Sequence, residues 1–344
     1  MGEHEQGLDS ISNLITTYNE LNSHVIDELS EEPSPLEFLR YVARNTPNAD
    51  APTALPDGSL ALAKPHEEDH PFASFLASII QQTKQDLSPP SATREPTVPE
   101  VLYAQTQNDN LRNEYAPLLA LHHLPTSIPF ARIALDQTSP DALNLWVGNA
   151  RSVTALHKDN YENIYVQLRG RKRFVLLPPW CHPCVNERPL RAATYRRQPA
   201  DQPSPGQTDR GDKEEGGLVG EADKEGETPS GASNGSTLVL EPDEGADDVP
   251  FATWDPDKPD ANPTPYSHLA VPIRVDLEPG DMLYLPAMWY HKVSQFCVEG
   301  DEGFVLAVNY WYDMDFSGPL YPLASFVRDV HHEALAGQGS ATGS

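Results

Sequence analysis

Ser152-Val153-Thr154-Ala155-Leu156-His157-Lys158-Asp159-Asn160-Tyr161-Glu162-Asn163-Ile164-Tyr165 is the stretch on which the reading of this chain turns. In an extended segment alternate residues project to one side, so His157 and Asp159 can present an imidazole nitrogen and a carboxylate oxygen to one point. The same parity continues through Tyr161, Asn163 and Tyr165. Five polar or amphipathic side chains on one face of a buried strand need partners, because each unpaired polar group costs a few kcal/mol to bury. A metal together with a polar ligand would supply them.

A third ligand is available in Pro286-Ala287-Met288-Trp289-Tyr290-His291, directly after the apolar run Met282 to Leu285. Two histidines and one carboxylate that leave coordination positions open form the ligand set of non-haem Fe(II) oxygenases. Taken alone, His-x-Asp with a distant His is equally a pattern of solvated polar residues, and the surrounding sequence has to decide.

Moving outward, short segments rich in β-branched and aromatic residues recur from Val101 onward: Val101 to Gln105, Leu143 to Val147, Asn163 to Leu168, Arg173 to Leu177, Ile273 to Leu277, Met282 to Leu285 and Phe304 to Trp311. Such spacing, punctuated by Gly and Pro, predicts an all-β barrel or sandwich. The N-terminal part reads differently. Leu8, Ile11, Leu14, Ile15, Tyr18, Leu21, Val25, Ile26 and Leu29 keep a helical period, Pro33 to Arg44 reads as a second helix, and Phe72 to Lys84 as a third, with a short strand near Leu60 to Ala63.

The 344 residues carry 24 Lys and Arg against 51 Asp and Glu, a net charge of −27. A phosphate-binding protein normally presents a basic stripe, so this balance disfavours a nucleic-acid partner. Residues 200–249 hold fourteen acidic and three basic residues among repeated Gly, Ser and Pro. They read as a solvated, disordered insertion that supplies much of the charge. No apolar run approaches the roughly 20 residues of a membrane span. The N-terminus carries no secretory or myristoylation pattern. Three cysteines cannot build a disulfide framework. The expected location is therefore the cytoplasm, with the nucleus also open.

Many short motifs stand in one order: Leu145-Trp146-x-Gly148, Val153-Thr154-x-Leu156-His157-x-Asp159-x-Tyr161-Glu162-Asn163, Gly170-x-Lys172-x-Phe174, Leu177-Pro178-Pro179, Pro279-Gly280-Asp281-x-Leu283-Tyr284-Leu285-Pro286-x-x-Trp289-x-His291 and Val308-Asn309-x-Trp311-Tyr312. In these the chain resembles the JmjC (cupin-type) 2-oxoglutarate oxygenases, and the small protein hydroxylases among them. The likeness is greatest to the JmjC lysyl hydroxylases of developmentally regulated GTP-binding proteins. It extends to Glu100-Val101-Leu102-Tyr103, Asp141-Ala142-Leu143-Asn144, Asp255-Pro256 and Asp313-Met314.

The resemblance implies a mainly β fold, a distorted double-stranded β-helix (jelly-roll, cupin type) with flanking N- and C-terminal helices. Residues 1–96 would form an N-terminal helical region and 97–330 the JmjC domain, with 200–249 inserted in it and 331–344 a flexible tail. It implies His157, Asp159 and His291 as ligands of Fe(II), and Lys172 as partner of the distal carboxylate of 2-oxoglutarate. Thr154 would add a hydroxyl to that carboxylate, and Asn163, Tyr165 and Asn309 would stand around the keto acid and iron. Thr154 lies at odd spacing from His157, so its place there requires an irregular backbone. With O2 the implied reaction is hydroxylation of a protein side chain, coupled to decarboxylation of 2-oxoglutarate to succinate and CO2. Leu320, Leu323, Phe326, Val327 and Val330 recur at helical spacing, and the family implies a homodimer through this segment. Packing on the chain's own barrel is the other reading of the same stripe.

Two further enzyme-or-not readings remain. One is a JmjC-type RNA (tRNA) hydroxylase, for which only the Arg169 to Arg173 and Arg188 to Arg197 clusters offer positive charge; the other is an inactive binding module. The N-terminal region is shorter than the family pattern, since Asn45-Thr46-Pro47 runs almost directly into Pro56-Asp57-Gly58. His66-Glu67-Glu68-Asp69-His70 matches the zinc-protease pattern H-E-x-x-H, but that chemistry needs a continuous helix and Pro65 and Pro71 bracket the stretch. It reads as a solvated loop. Cys181-His182-Pro183-Cys184 is a lone CxxC, at most half of a structural zinc site. Asn234-Gly235-Ser236 is a formal glycosylation sequon without consequence inside a cell.

Overall fold

The computed structural model describes residues 39–44, 48–88, 100–107, 109–121, 125–198, 237–298 and 300–341. The helix expected over Leu8 to Leu29 lies outside them, as do Asn234 and most of the acidic insertion. Two antiparallel sheets face one another. One is ordered Ile273–Leu277, Arg171–Leu177, Tyr290–Phe296, Val153–His157, with the two-residue strand Asn48–Ala49 added in parallel at its edge. The other is ordered Met282–Leu285, Tyr161–Arg169, Val305–Asp313, Ala142–Gly148. The fold is mainly β, with curled sheets of the cupin or jelly-roll kind and helices at its flanks.

The four-stranded sheet is buried on both faces, which explains why its strands read as nearly unbroken apolar runs. Leu143, Leu145, Val147, Ile164, Val166, Leu168, Val308 and Tyr310 point outward, onto Phe75, Leu76 and Ile79 of the helix Phe72–Leu87. The opposite parity, with Trp146, Tyr165 and Ala307, points inward and packs on Phe174, Leu176 and Val293 of the five-stranded sheet. The pleat therefore sorts one apolar set to the helix and leaves Asn163, Tyr165 and Asn309 for the interior. Gly170 makes the switch between the sheets possible. It sits between Tyr161–Arg169 and Arg171–Leu177 with φ of 61°, and a Cβ there would lie 2.9 Å from the Phe304 carbonyl oxygen.

Several expectations are corrected. Leu39–Arg44, placed in a second helix by its spacing, is a strand between His66–His70 and Val101–Tyr103. The region before residue 97 is thus a mixture of strands and one long helix among the described residues, not a helical domain. His66–His70 is itself a strand rather than a loop, so its two histidines never share the helix face that a zinc protease needs. The expected disordered insertion ends early: Thr237–Pro242 pairs with Glu187–Gln198, and Leu238, in the apolar run Leu238 to Leu240, is buried. The tail expected to be flexible from residue 331 continues the helix Leu320–Ala341.

Candidate active site

The opening stretch does not form one strand. Val153–His157 belongs to the five-stranded sheet and Tyr161–Arg169 to the four-stranded one, with residues 158–160 crossing between them. The shared parity therefore works by convergence, because both strands aim their polar residues at the space between the sheets. Met288, held at φ of 64°, donates its backbone N–H to the Asp159 carbonyl at 2.7 Å and ties this crossing to the approach to His291.

His157 and His291 are cross-strand neighbours on Val153–His157 and Tyr290–Phe296. Thr154 pairs with Val293, so two residues on one strand, Ala155 and Leu156, oppose the single Lys292 on the other. That is a β-bulge, and it is the irregular backbone that Thr154 requires. Thr154, His157, Asp159, Asn163, Tyr165, Lys172, His291 and Asn309 all line one cavity.

The three ligand candidates offer one atom each within 4.8 Å of one another. The Asp159 carboxylate stands 3.7 Å from His157 Nε2 and 3.6 Å from His291 Nε2. Those gaps exceed a hydrogen bond and leave room for an ion. Each imidazole is oriented from behind: His157 Nδ1 lies 2.8 Å from the Ala155 carbonyl and His291 Nδ1 3.0 Å from that of Trp289. Donation from Nδ1–H fixes the tautomer and turns the Nε2 lone pair to the cavity. Burial first, and then the neighbouring His157, push the His291 pKa down to about 4, which keeps it in the neutral, ligating form.

Lys172 is wholly buried. Its Nζ donates to the hydroxyls of Tyr165 at 2.6 Å and Tyr103 at 3.1 Å, and the rings of Tyr165, Tyr103 and Trp146 lie within 5.8 Å. No carboxylate among the described residues forms an ion pair with it. Burial pushes its pKa down to about 7. A buried ammonium faced only by hydroxyls and ring faces is an incomplete arrangement, and an anion arriving in the cavity completes it. The far wall is set by Asn309, whose Oδ1 accepts from Trp146 Nε1 at 3.0 Å and whose Nδ2 donates to Asn163 Oδ1 at 3.2 Å. The donor set and the lone buried cation thus fit a divalent metal and a dicarboxylate. Tyr103 and Trp146 are contacts that ligand-pattern reading passed over; both sit in apolar strands, where nothing in the local pattern separates them from core residues.

Among the described residues much of the basic clusters is ion-paired within the chain: Arg197 pairs with Glu68 and with Glu100, Arg196 with Glu241, Arg169 with Glu302, Arg171 with Glu278 and Arg173 with Asp276.

Two facing sheets around a His-Asp-His group and a buried lysine define a cupin-type oxygenase, and comparison with known proteins gives the family. Residues 10–318 match the Cupin-like domain family, and the chain belongs to it. It is a JmjC cupin-type oxygenase, a 2-oxoglutarate-dependent dioxygenase, of a family that is Fe(II)- and 2-oxoglutarate-dependent in general. It is 29% identical over 339 residues to an Arabidopsis thaliana protein named lysine-specific demethylase JMJ32, covering 85% of this chain and 82% of that one. It is 34% identical over 220 residues to the human protein named bifunctional peptidase and (3S)-lysyl hydroxylase JMJD7, covering 63% of this chain and 55% of that one. A Dictyostelium discoideum JmjC domain-containing protein E is 26% identical over 284 residues, 80% of this chain and 68% of the relative. The names of the first two place their activities on lysine, and a protein substrate is the general expectation.

Proposed function

We propose that the chain is a protein lysyl C-hydroxylase, with Fe(II) held by His157, Asp159 and His291 and the distal carboxylate of 2-oxoglutarate held by Lys172 and Thr154. The observation that carries this is the meeting, in one cavity, of the His-Asp-His group with a wholly buried lysine that has no carboxylate partner among the described residues. When bound, iron and 2-oxoglutarate supply the oxidising chemistry: the keto acid gives succinate and CO2 while one oxygen atom of O2 enters a substrate C–H bond. The chain's own residues bind and orient. Lys172 and Thr154 fix the far end of the keto acid, Tyr165 holds the Lys172 ammonium in place, and the Trp146–Asn309–Asn163 chain keeps the opposite wall rigid.

Hydroxylation is preferred to demethylation because the sequence motifs run with the lysyl hydroxylases. The substrate class we propose is an intracellular GTP-binding protein. The test is mass spectrometry of lysine-containing peptides from such GTPases, and of methylated histone peptides, after incubation with the protein, Fe(II), 2-oxoglutarate and O2. One oxygen added to a GTPase lysine is the expected result; methyl loss from histones with no oxygen on any GTPase lysine overturns it.

We further propose that two copies associate through the helix Leu320–Ala341. Ala324 packs inward on Ala287, Met288 and Met314, whereas Leu323, Phe326 and Val330 are 48%, 66% and 50% exposed. One stripe serves the chain's own barrel and the other is left for a partner.

A further inference from the structure

His182, in the 3-10 turn Pro179–Cys184, is 3% exposed, and both of its ring nitrogens are buried with no hydrogen-bond partner. A neutral imidazole carries one donor and one acceptor, and leaving both unmet in the interior is costly. The nearest carboxylate oxygen, Glu187 Oε1, is 3.7 Å away. Glu187 is already engaged, its Oε2 accepting from Lys158 at 2.7 Å and from the Tyr290 hydroxyl at 2.9 Å.

What His182 does face is two more imidazoles. The C-terminal helix brings the rings of His331 and His332 to 5.3 and 5.4 Å from it, and to 6.1 Å from each other. One ring nitrogen from each of the three lies within 4.8 Å of the others, and His331 Nδ1 is likewise buried and unpartnered. We propose that His182, His331 and His332 form a second metal site, for a divalent ion of the zinc class, which fastens the C-terminal helix to the end of the barrel.

Three imidazoles suit zinc, copper or nickel better than the oxygen-loving cations, and zinc takes three protein ligands with water in the fourth position. Glu187 stands beside His182 where the second nitrogen of a ligating imidazole finds its carboxylate. An ion held by the three rings would satisfy one of the two orphaned nitrogens of His182. The site is separate from the His157, Asp159 and His291 group, and none of its ligands lines that cavity.

The test is a Co2+ titration of the untagged, chelator-treated full chain, read by visible absorption and by metal content. The expected result is two equivalents in the wild type, one of them with the intense bands of four-coordinate Co2+. Asp159→Ala should retain that one, so failure of the iron assignment does not touch this outcome. His331→Ala combined with His332→Ala should lose the bands and one equivalent. His332→Gln, at an exposed position, should weaken the site at least tenfold without changing circular dichroism. Zn2+ should raise the melting temperature of Asp159→Ala and leave that of a variant combining Asp159→Ala, His331→Ala and His332→Ala unchanged. A wild type without four-coordinate Co2+ bands, or bands that survive in the double-histidine variant, overturns the site.

Discussion

Lys172 is the residue whose chemistry the fold makes most unusual. Its ammonium has an ordinary pKa of about 10.4 in an unfolded chain, but burial brings it to about 7 in the folded one. Between those values the unfolded chain binds more protons, so the stability of the ligand-free protein should rise as pH increases from about 7 towards 10 and should be lowest below 7. Binding of a dicarboxylate favours the charged form, so above pH 7 it must take up a proton and weaken by up to about tenfold per pH unit. Calorimetric titration with 2-oxoglutarate in buffers of different ionisation enthalpy checks this: the heats should report proton uptake at pH 8 and little at pH 6. At this scale the sequence was legible where chemistry forces polarity into a buried strand. His157, Asp159, Asn163 and Tyr165 announce themselves by being polar at positions of one parity. Tyr103 and Trp146 do not, because a ring that shields an ammonium is indistinguishable by type from a ring that fills a core.

Among the elements, the turn at Gly170 carries the chain from Tyr161–Arg169 in the four-stranded sheet back to Arg171–Leu177 in the five-stranded one. Any side chain there meets both a left-handed φ and the Val305 and Phe304 contacts. Strain of about 1–2 kcal/mol from the backbone and a comparable amount from overpacking should make Gly170→Ala about 3 kcal/mol less stable. Thermal unfolding should show this as a melting temperature lower by roughly 6–12 °C. An unchanged melting temperature would mean that the turn is looser than it is drawn. The alternating Ile273–Leu277 and the apolar run Met282–Leu285 were readable to the residue. Leu39–Arg44 was not, since a six-residue run fits both periods and its partners lie more than twenty residues downstream. Glu187–Gln198 was hidden by its four arginines, of which Arg197 meets Glu68 and Glu100 from distant parts of the chain. Thr237–Pro242 was masked by the acidic composition around it, although Leu238-Val239-Leu240 was a signal in plain sight.

The whole molecule leaves an apolar surface along the C-terminal helix that its own barrel does not cover. Phe326 and Val330 line a groove shared with Trp180, Leu269 and Val271, the last three 50%, 62% and 80% exposed. An exposed apolar surface of this kind is where the proposed second copy would dock. Light scattering should give a dimer for the wild type and a monomer for Phe326→Glu, with unchanged circular dichroism. A wild type that stays monomeric at high concentration would contradict the interface. The three-histidine group beside this groove shows the limit of sequence reading at the same scale: His182 and His331 are brought together only by the fold, and a lone CxxC gave no reason to look so far along the chain.

The most direct measurement is an anaerobic titration of the purified chain with Fe(II) and then 2-oxoglutarate, following the visible charge-transfer band that forms when the keto acid chelates the iron. The wild type should develop the band with one equivalent of each. Asp159→Ala should bind no iron in the cavity and show no band. Lys172→Ala should keep its iron but require 2-oxoglutarate at a concentration higher by about 10²- to 10³-fold, because removing one partner of a buried charge pair costs about 3–5 kcal/mol. A band of wild-type strength and midpoint in either variant would contradict the assignment of the site.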